Sequence, residues 1–486
     1  MYKNSRGRPG LVLAAVTVAQ FVFALDMSVV NVALPAIRDA LGFAPLDLSW
    51  VVHVYALTFG GLLLLGGRAG DLYGRRRLFQ LGLAVFGLCS LAGGLAQQPW
   101  QLVAARAGQG IGAAAAAPAT LAMLTTTFTE GPRRVRALGV WSAANAAGGA
   151  LGVLAGGLLT EYASWRWVML VNLPIVAAAL ALLPASGADG AKPIRGERRE
   201  RLDVLGAALA TGGVGLLVFG VVRTEVQGWG SPATLGTLAV AVALLAAFVL
   251  AEVRSPAPLL RLGLLRSRWV AGANLLVFLA AAGQFAAFYF VSLYLQQVLG
   301  LGAAATGAAF LPFSAGLVAG TVVATRITAH RTPRAALVPG AFLAAVGLGW
   351  FALISPDGGY LTDVLGPSVV TSIGTGLVLA PVAAAATTGI APREAGAASG
   401  LLNSSRQLGG CVGLAVLATG AAHATGTATD PAALDHGYAF GLAAGAALFA
   451  LAAVVALTVL PRRRPAPPEA RPVTTLSENR LEGTHS

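Results

Sequence analysis

The sequence predicts an all-α polytopic membrane protein with 14 transmembrane helices in a 6+2+6 order and both termini cytoplasmic. Three observations predict it. Hydrophobic residues make up 56% of the 486 and charged residues only 11%, against about a quarter charged in ordinary soluble chains. Apolar runs of about 20 residues, enough to cross a hydrocarbon core of roughly 30 Å, recur along the chain. Basic residues fall almost entirely in alternate connections, as the positive-inside rule requires.

The apolar runs lie at about 11–35, 48–67, 78–97, 100–124, 136–159 and 166–185, then at 203–222 and 233–252. Six more follow at about 269–298, 303–325, 335–354, 363–386, 397–422 and 437–460. With the amino end inside, 28 of the 33 Lys and Arg residues lie on inner segments, for example Arg75, Arg76 and Arg77 or Arg462, Arg463 and Arg464. Arg38, Arg166 and Arg223 are outside, and Arg106 and Arg406 lie within spans. One missed or invented span would scramble that alternation.

The parsing that follows is a cytoplasmic start at 1–10, a six-helix bundle at 11–185, a polar loop at 186–202, two inserted helices at 203–252, a second loop at 253–268, a second six-helix bundle at 269–460 and a Pro-rich, disordered tail at 461–486. The basic start followed by an apolar run resembles a secretory signal, but its continuation into many further spans favours an uncleaved first helix. "GGRAGDLYGRRRL" after span two has a degenerate echo in "GTVVATRITAHRTPRAAL" after span ten, as a parallel repeat would leave.

Composition excludes several function classes. The net charge of +13 is spread over short loops rather than gathered in a patch, so nucleic acid is not an expected partner. Cys89 and Cys411 each lie inside an apolar run and read as packing residues, with no disulfide framework or metal spacing between them. No nucleophile with a base, metal cluster or phosphate loop can be assembled from these spans, so an enzyme is not expected. The expected partners are the lipid bilayer, a small-molecule substrate and protons, with a monomer as the assembly and no cofactor.

Asp26, in "FALDMSVVNVALPAI", is the one acidic residue placed deep in the membrane. Burial favours the neutral form of a carboxyl and a nearby guanidinium favours the charged form, so Asp26 is either a proton carrier or a structural carboxyl satisfied by its neighbours. Arg106 in span four has no acid in its own segment, and a charge at mid-membrane costs roughly 2.5–3.5 kcal/mol on insertion scales. Gln109 shares its helical face at i+3. Asp26 and Arg106 are expected to face each other across a shared cavity, directly or through water. In span thirteen Asn403, Arg406 and Gln407 repeat the pattern, and each arginine either lines the interior or hydrogen-bonds helix backbones.

Gly148, Gly152 and Gly156 in span five form a groove for a neighbouring helix. Gly67, Gly70 and Gly74 suit a tight turn, with Asp71 at a helix amino end and Arg75 at the membrane surface. His53 either exchanges protons or packs. Phe285, Phe288, Tyr289 and Tyr294, with Gln284, either line an adaptable pocket or make plain helix contacts. The candidate substrate-cavity residues are Asn31, His53, Gln109, Gln284, Phe285, Tyr289, Asn403 and Arg406.

Taken together, "LDMSVVNVALPAI", "GGRAGDLYGRRRL", "RAGQGIGA", "SWRWVMLVNLPI", "SLYLQQVLG" and "NSSRQLGG" resemble the motifs of the major facilitator superfamily, and specifically of its fourteen-span drug:proton antiporters. The resemblance spans about residues 11–460. It implies two bundles that open a midplane cavity alternately to either side of the plasma membrane, driven by the proton gradient, and export of an amphipathic drug, antibiotic or toxic metabolite. It places Asp26 and Arg106 in proton coupling, Gly67, Asp71, Gly74 and Arg75 in a cytoplasmic gate, and the span-five glycines between the bundles. Three departures count against a simple transfer. Val153 stands where antiporters carry proline after glycine, which keeps proton-coupled uptake open beside export. Ala69 and Leu72 replace the usual leucine and arginine of the loop motif. Spans nine to fourteen hold no extra membrane carboxylate, which disfavours multiply charged cations. A sensor without transport is the remaining alternative.

Overall fold

The computed structural model describes residues 8–44, 47–128, 131–185, 203–255, 262–390, 395–426 and 430–462. The expected amino end at 1–7, the loop at 186–202 and the tail beyond 462 lie outside these residues. Among the described residues every regular element is helical.

The first group of helices is α1 (Pro9–Leu41), α2 (Trp50–Tyr73), α3 (Arg75–Gly94), α4 (Pro99–Thr127), α5 (Gly131–Tyr162), α6 (Arg166–Leu170) and α7 (Asn172–Ala185). A hairpin of α8 (Val204–Gln227) and α9 (Pro232–Arg254) follows. The second group is α10 (Arg268–Leu293), α11 (Ala303–Ala309), α12 (Leu311–His330), α13 (Arg334–Phe351), α14 (Leu365–Ala386), α15 (Ala395–Thr425) and α16 (Pro431–Thr458).

Helices occupy all the predicted intervals, yet among the described residues twelve rather than fourteen are long and apolar enough to cross a membrane. The two that fall short have physical reasons. α4 is 29 residues long, but Gln101, Arg106 and Gln109 sit among small alanines and glycines that lower its hydropathy. The interval 166–185 is broken into α6 and α7 at Val171. Pro174 lacks an N–H and its ring crowds the carbonyl one turn back, at Leu170, so the helix must restart there.

The glycines of α5 do not lie between the two groups as the resemblance implied. Gly148, Gly152 and Gly156 press on α1 within the first group: a Cβ at Gly152 would lie 2.7 Å from the Leu25 carbonyl oxygen, and one at Gly156 would lie 2.5 Å from that of Val29. Small residues allow this backbone approach where bilayer lipid offers no hydrophobic drive to packing. The contact with the second group comes from the adjoining face of the same turns, where Gly157 meets Ala303 and the Val153 carbonyl meets Gly307 of α11.

Hydrogen bonds reinforce that end of the molecule. Pro35 inside α1 cannot donate to the carbonyl of Asn31, and Ser292 of α10 donates its hydroxyl to that freed oxygen at 3.2 Å. Gln296 donates to the Val32 carbonyl at 3.1 Å, and the Glu161 carboxylate accepts the Ala304 N–H at 2.6 Å. A second seam joins α2 to α15 through Gly60 against Gln407 and Leu64 against Gly400. The inserted hairpin covers this seam: Val214, Val218 and Val222 of α8 share an apolar cluster with Ala56 and Leu57 of α2 and Cys411 and Ala415 of α15. α9 is held mainly by α8 and is otherwise largely exposed.

Candidate functional site

A polar cluster lies sealed inside the first group, and the helix starts explain who reaches it. α4 opens with Pro99 and a reciprocal cap between Gln98 and Gln101, which fixes the register that carries Arg106 inward two turns later. The break before α7 makes Asn172 its first residue and frees that side chain to turn toward α1. Asp26 comes from the buried stripe of α1 and Ser90 from that of α3.

Asp26 is 0% exposed and Arg106 1%. Arg106 Nη1 donates to Asp26 Oδ2 at 2.5 Å and to Gln109 Oε1 at 2.9 Å. Its Nε donates to the Val51 carbonyl of α2 at 3.0 Å, and its guanidinium carbon stands 4.3 Å from the centre of the Tyr55 ring. The other carboxylate oxygen of Asp26 accepts from Gln109 Nε2 at 3.0 Å and from Asn172 Nδ2 at 2.7 Å. Ser90 Oγ accepts from Gln109 at 2.7 Å and from Asn172 at 3.3 Å. The ion pair thus ties together α1, α2, α3, α4 and α7, and both carboxylate oxygens are taken. A charged pair this deep is tolerable only because hydrogen bonds occupy its remaining capacity. The expected partnership of Asp26 and Arg106 is direct, but no water-filled space separates them: the pair faces inward to the bundle, while Gln20, Met27 and Asn31 mark the less buried face of α1.

Ser90, Asn172 and Tyr55 were not among the sequence candidates. The available signal was a polar side chain within an apolar interval, which marks Ser90 and Asn172 as interior-facing by the same rule that singled out Arg106. Two buried atoms of the cluster, Asn172 Oδ1 and the Tyr55 hydroxyl, have no hydrogen-bond partner in the structure.

The other candidates are placed elsewhere. Gln109 belongs to this cluster rather than to a substrate cavity. Asn31 donates to the Met27 carbonyl of its own helix at 3.0 Å. His53 is buried at the α2–α15 seam, where the Cys411 thiol donates to its carbonyl at 3.4 Å, and its Nε2 has no partner. Tyr289 is buried against Phe290, and Phe285 fills the space over Gly410 of α15. Phe288 stacks on Phe310 at 5.3 Å between ring centres and meets Phe313 edge-on at 4.9 Å. Tyr294 donates to the Ser355 carbonyl at 2.8 Å. These aromatics mostly make helix contacts, and Phe288 borders a small apolar cavity with Phe351, Ser368 and Thr371. Gln284, Asn403 and Arg406 are partly exposed and make no hydrogen bond with any described residue.

At the predicted gate, Gly74 adopts φ +102° between α2 and α3, a conformation that side-chain-bearing residues rarely take. Asp71 lies in the last turn of α2 rather than at the start of α3, and its side chain lies outside the described residues. Gly67 stands near Pro118 of α4, and Arg75 begins α3.

The profile of the Major Facilitator Superfamily matches residues 16–414. The chain belongs to that superfamily. It is 47% identical over 461 residues to the cephamycin export protein CmcT of Amycolatopsis lactamdurans, covering 94% of this chain and 93% of that protein. It is 40% identical over 472 residues to the puromycin resistance protein pur8 of Streptomyces alboniger, covering 94% and 92%. The fold is shared with an inward-facing bacterial homologue of the human lysosomal transporter Spinster, at a TM-score of 0.63 and 17% identity over 96% of this chain and 100% of that one. The protein is therefore a multi-pass membrane transporter of the superfamily, with relatives that export antibiotics or confer resistance to them.

Proposed function

We propose that this protein exports an amphipathic small molecule, a drug, antibiotic or toxic metabolite, across the plasma membrane in exchange for protons. The observation that carries the reading is the sealed Asp26–Arg106–Gln109 cluster behind the less buried face of α1. While Asp26 is ionised, Arg106 clamps α1 and α4 together and holds α2 by the Val51 carbonyl. A proton on Asp26 removes the charge that Arg106 neutralises and loosens α1, the helix that also bonds across to α10 through Ser292 and Gln296. Protonation then biases one state of the carrier over the other, which is all that coupling requires.

The distribution of Lys and Arg supports fourteen spans, with α4 and the α6–α7 pair completing the twelve apolar ones, and both termini inside. On that orientation the end joined by α1–α10 and α5–α11 is the outer one, and the state described is closed to the exterior. The bundles are residues 11–185 and 269–460, with the hairpin at 203–252 lying along their seam.

The test is efflux of a fluorescent amphipathic dye from cells or inverted vesicles. Efflux is expected to collapse with the proton gradient and to disappear in Asp26→Asn at unchanged expression. Gradient-driven export that persists in that variant removes Asp26 from the coupling. Uptake in place of export, the reading that Val153 keeps open, is separated by the direction of proton-driven counterflow.

A further inference from the structure

We infer that Arg406, flanked by Asn403 on α15, is an anion subsite in the space between the bundles, which takes the carboxylate or equivalent oxyanion of an organic substrate. This deepens the exporter reading and rests on it for the word substrate.

The argument begins with the faces of α15. At about 100° per residue, Gly400, Gln407 and Cys411 mark the side that meets α2. Ser405, which donates to Asn274 at 2.8 Å, and Gly409 and Gly413, which press on Phe278 and Ala282, mark the side that meets α10. Leu408 and Val412 pack into the cluster with α8. Asn403 and Arg406 fall on the sector between the α2 and α10 sides, turned away from the inserted hairpin and one turn before Gly410, which Phe285 of α10 covers. Gln407 bridges that sector to α1 by donating toward Met27 Sδ at 3.7 Å. Arg406 is thus half-buried, with part of its surface accessible on a sector that meets neither the inserted hairpin nor the α2 side.

No described residue neutralises it. Arg406 has no hydrogen bond or ion pair with any described residue, so it does not clamp helix backbones. Asp26, the acid embedded in the first bundle, has both oxygens occupied by Arg106, Gln109 and Asn172. An interior guanidinium costs free energy unless it gains a counter-charge, and its planar fork matches a carboxylate or phosphate with two parallel N–H donors. Asn403, one turn earlier, adds an amide donor without a partner of its own.

The experiment uses the purified full chain in detergent and, separately, in proteoliposomes. The probes are a dansylated amino acid, a fluorescent aryl carboxylate, and its methyl ester, the same body without the charge. The wild-type protein is expected to bind the carboxylate tighter than the ester. Arg406→Gln is expected to weaken carboxylate binding roughly ten- to a hundredfold with the ester unchanged, and Arg406→Lys to recover part of the loss. Asn403→Ala is expected to weaken the carboxylate by a smaller factor. Equal binding of both probes by the wild type, binding of neither, or equal loss of both in Arg406→Gln and Arg406→Lys overturns the subsite. Arg406-dependent binding without flux in proteoliposomes leaves the subsite standing and defeats the exporter reading. Flux of both probes that ignores Arg406 does the reverse.

Discussion

Arg106 and Arg406 both lie within the apolar spans predicted from the sequence, and they are satisfied in opposite ways. Arg106 is surrounded by partners that its own bundle supplies: Asp26, Gln109, the Val51 carbonyl and the Tyr55 ring. Arg406 stands on the corresponding motif of the other bundle with no described partner. The difference separates two uses of a charge within an apolar span. A guanidinium balanced from within can lock or release helices as its partner gains or loses a proton. One left unbalanced waits for charge carried in from outside.

The largest effect is expected where a partner is removed from the balanced site. Arg106→Met leaves the Asp26 carboxylate buried with only amide donors, and breaking such a pair on one side costs about 3–5 kcal/mol. A clear drop in melting temperature in detergent, with reduced expression, is the expected outcome. A variant as stable as the wild type breaks the comparison at its first term. The double-mutant cycle of Asp26→Asn and Arg106→Gln sharpens it: the two changes are expected to be non-additive by about 1–3 kcal/mol, because each removes what the other was there to balance.

Part of this pairing was legible in the sequence. An acid in span one and an arginine in span four, each alone in its apolar run, had to find one another or water. What was not legible was the cage around them. Asn172 reaches Asp26 because Pro174 breaks the sixth apolar interval and resets the helix, and neither the break nor its direction follows from hydropathy. The same break, with the polar residues of α4, is why twelve rather than fourteen helices among the described residues are long and apolar enough to span. The spacing of Gly148, Gly152 and Gly156 announced a close helix contact but could not name the partner, since a glycine groove looks the same whether it receives α1 or a helix of the other bundle. Arg406 and Gln407 are neighbours in sequence, and only the docking of α15 against α2 and α10 shows that one is packed and the other left open.

A moderate effect is expected at the groove that positions Asp26. Gly152→Ala sets a methyl 2.7 Å from the Leu25 carbonyl oxygen, next to Asp26 in sequence, and overpacking of this kind costs about 1–3 kcal/mol. Gly149→Ala, on the open side of the same helix with nothing within 4 Å of the added carbon, is expected to stay within about 0.5 kcal/mol of the wild type. Thermal unfolding of the two side by side checks that the cost belongs to the α1–α5 contact rather than to glycine in a helix. Equal shifts for both would remove the groove from the account of how α1 is held.

The smallest effect is expected at the unbalanced site, and it runs against intuition for a half-buried charge. Arg406→Met removes a guanidinium that contributes no described hydrogen bond or ion pair and replaces it with an apolar chain of similar reach. The protein loses no partner and leaves no opposite charge stranded, while the desolvation cost of the arginine disappears. Exchanges of interior charges for apolar residues are often neutral or stabilising, so the melting temperature is expected to hold or rise. Measured beside Arg106→Met, the two variants should move in different directions from the same chemical change. If both fall by the same amount, Arg406 is a structural arginine like Arg106, and the space it borders needs no charged visitor.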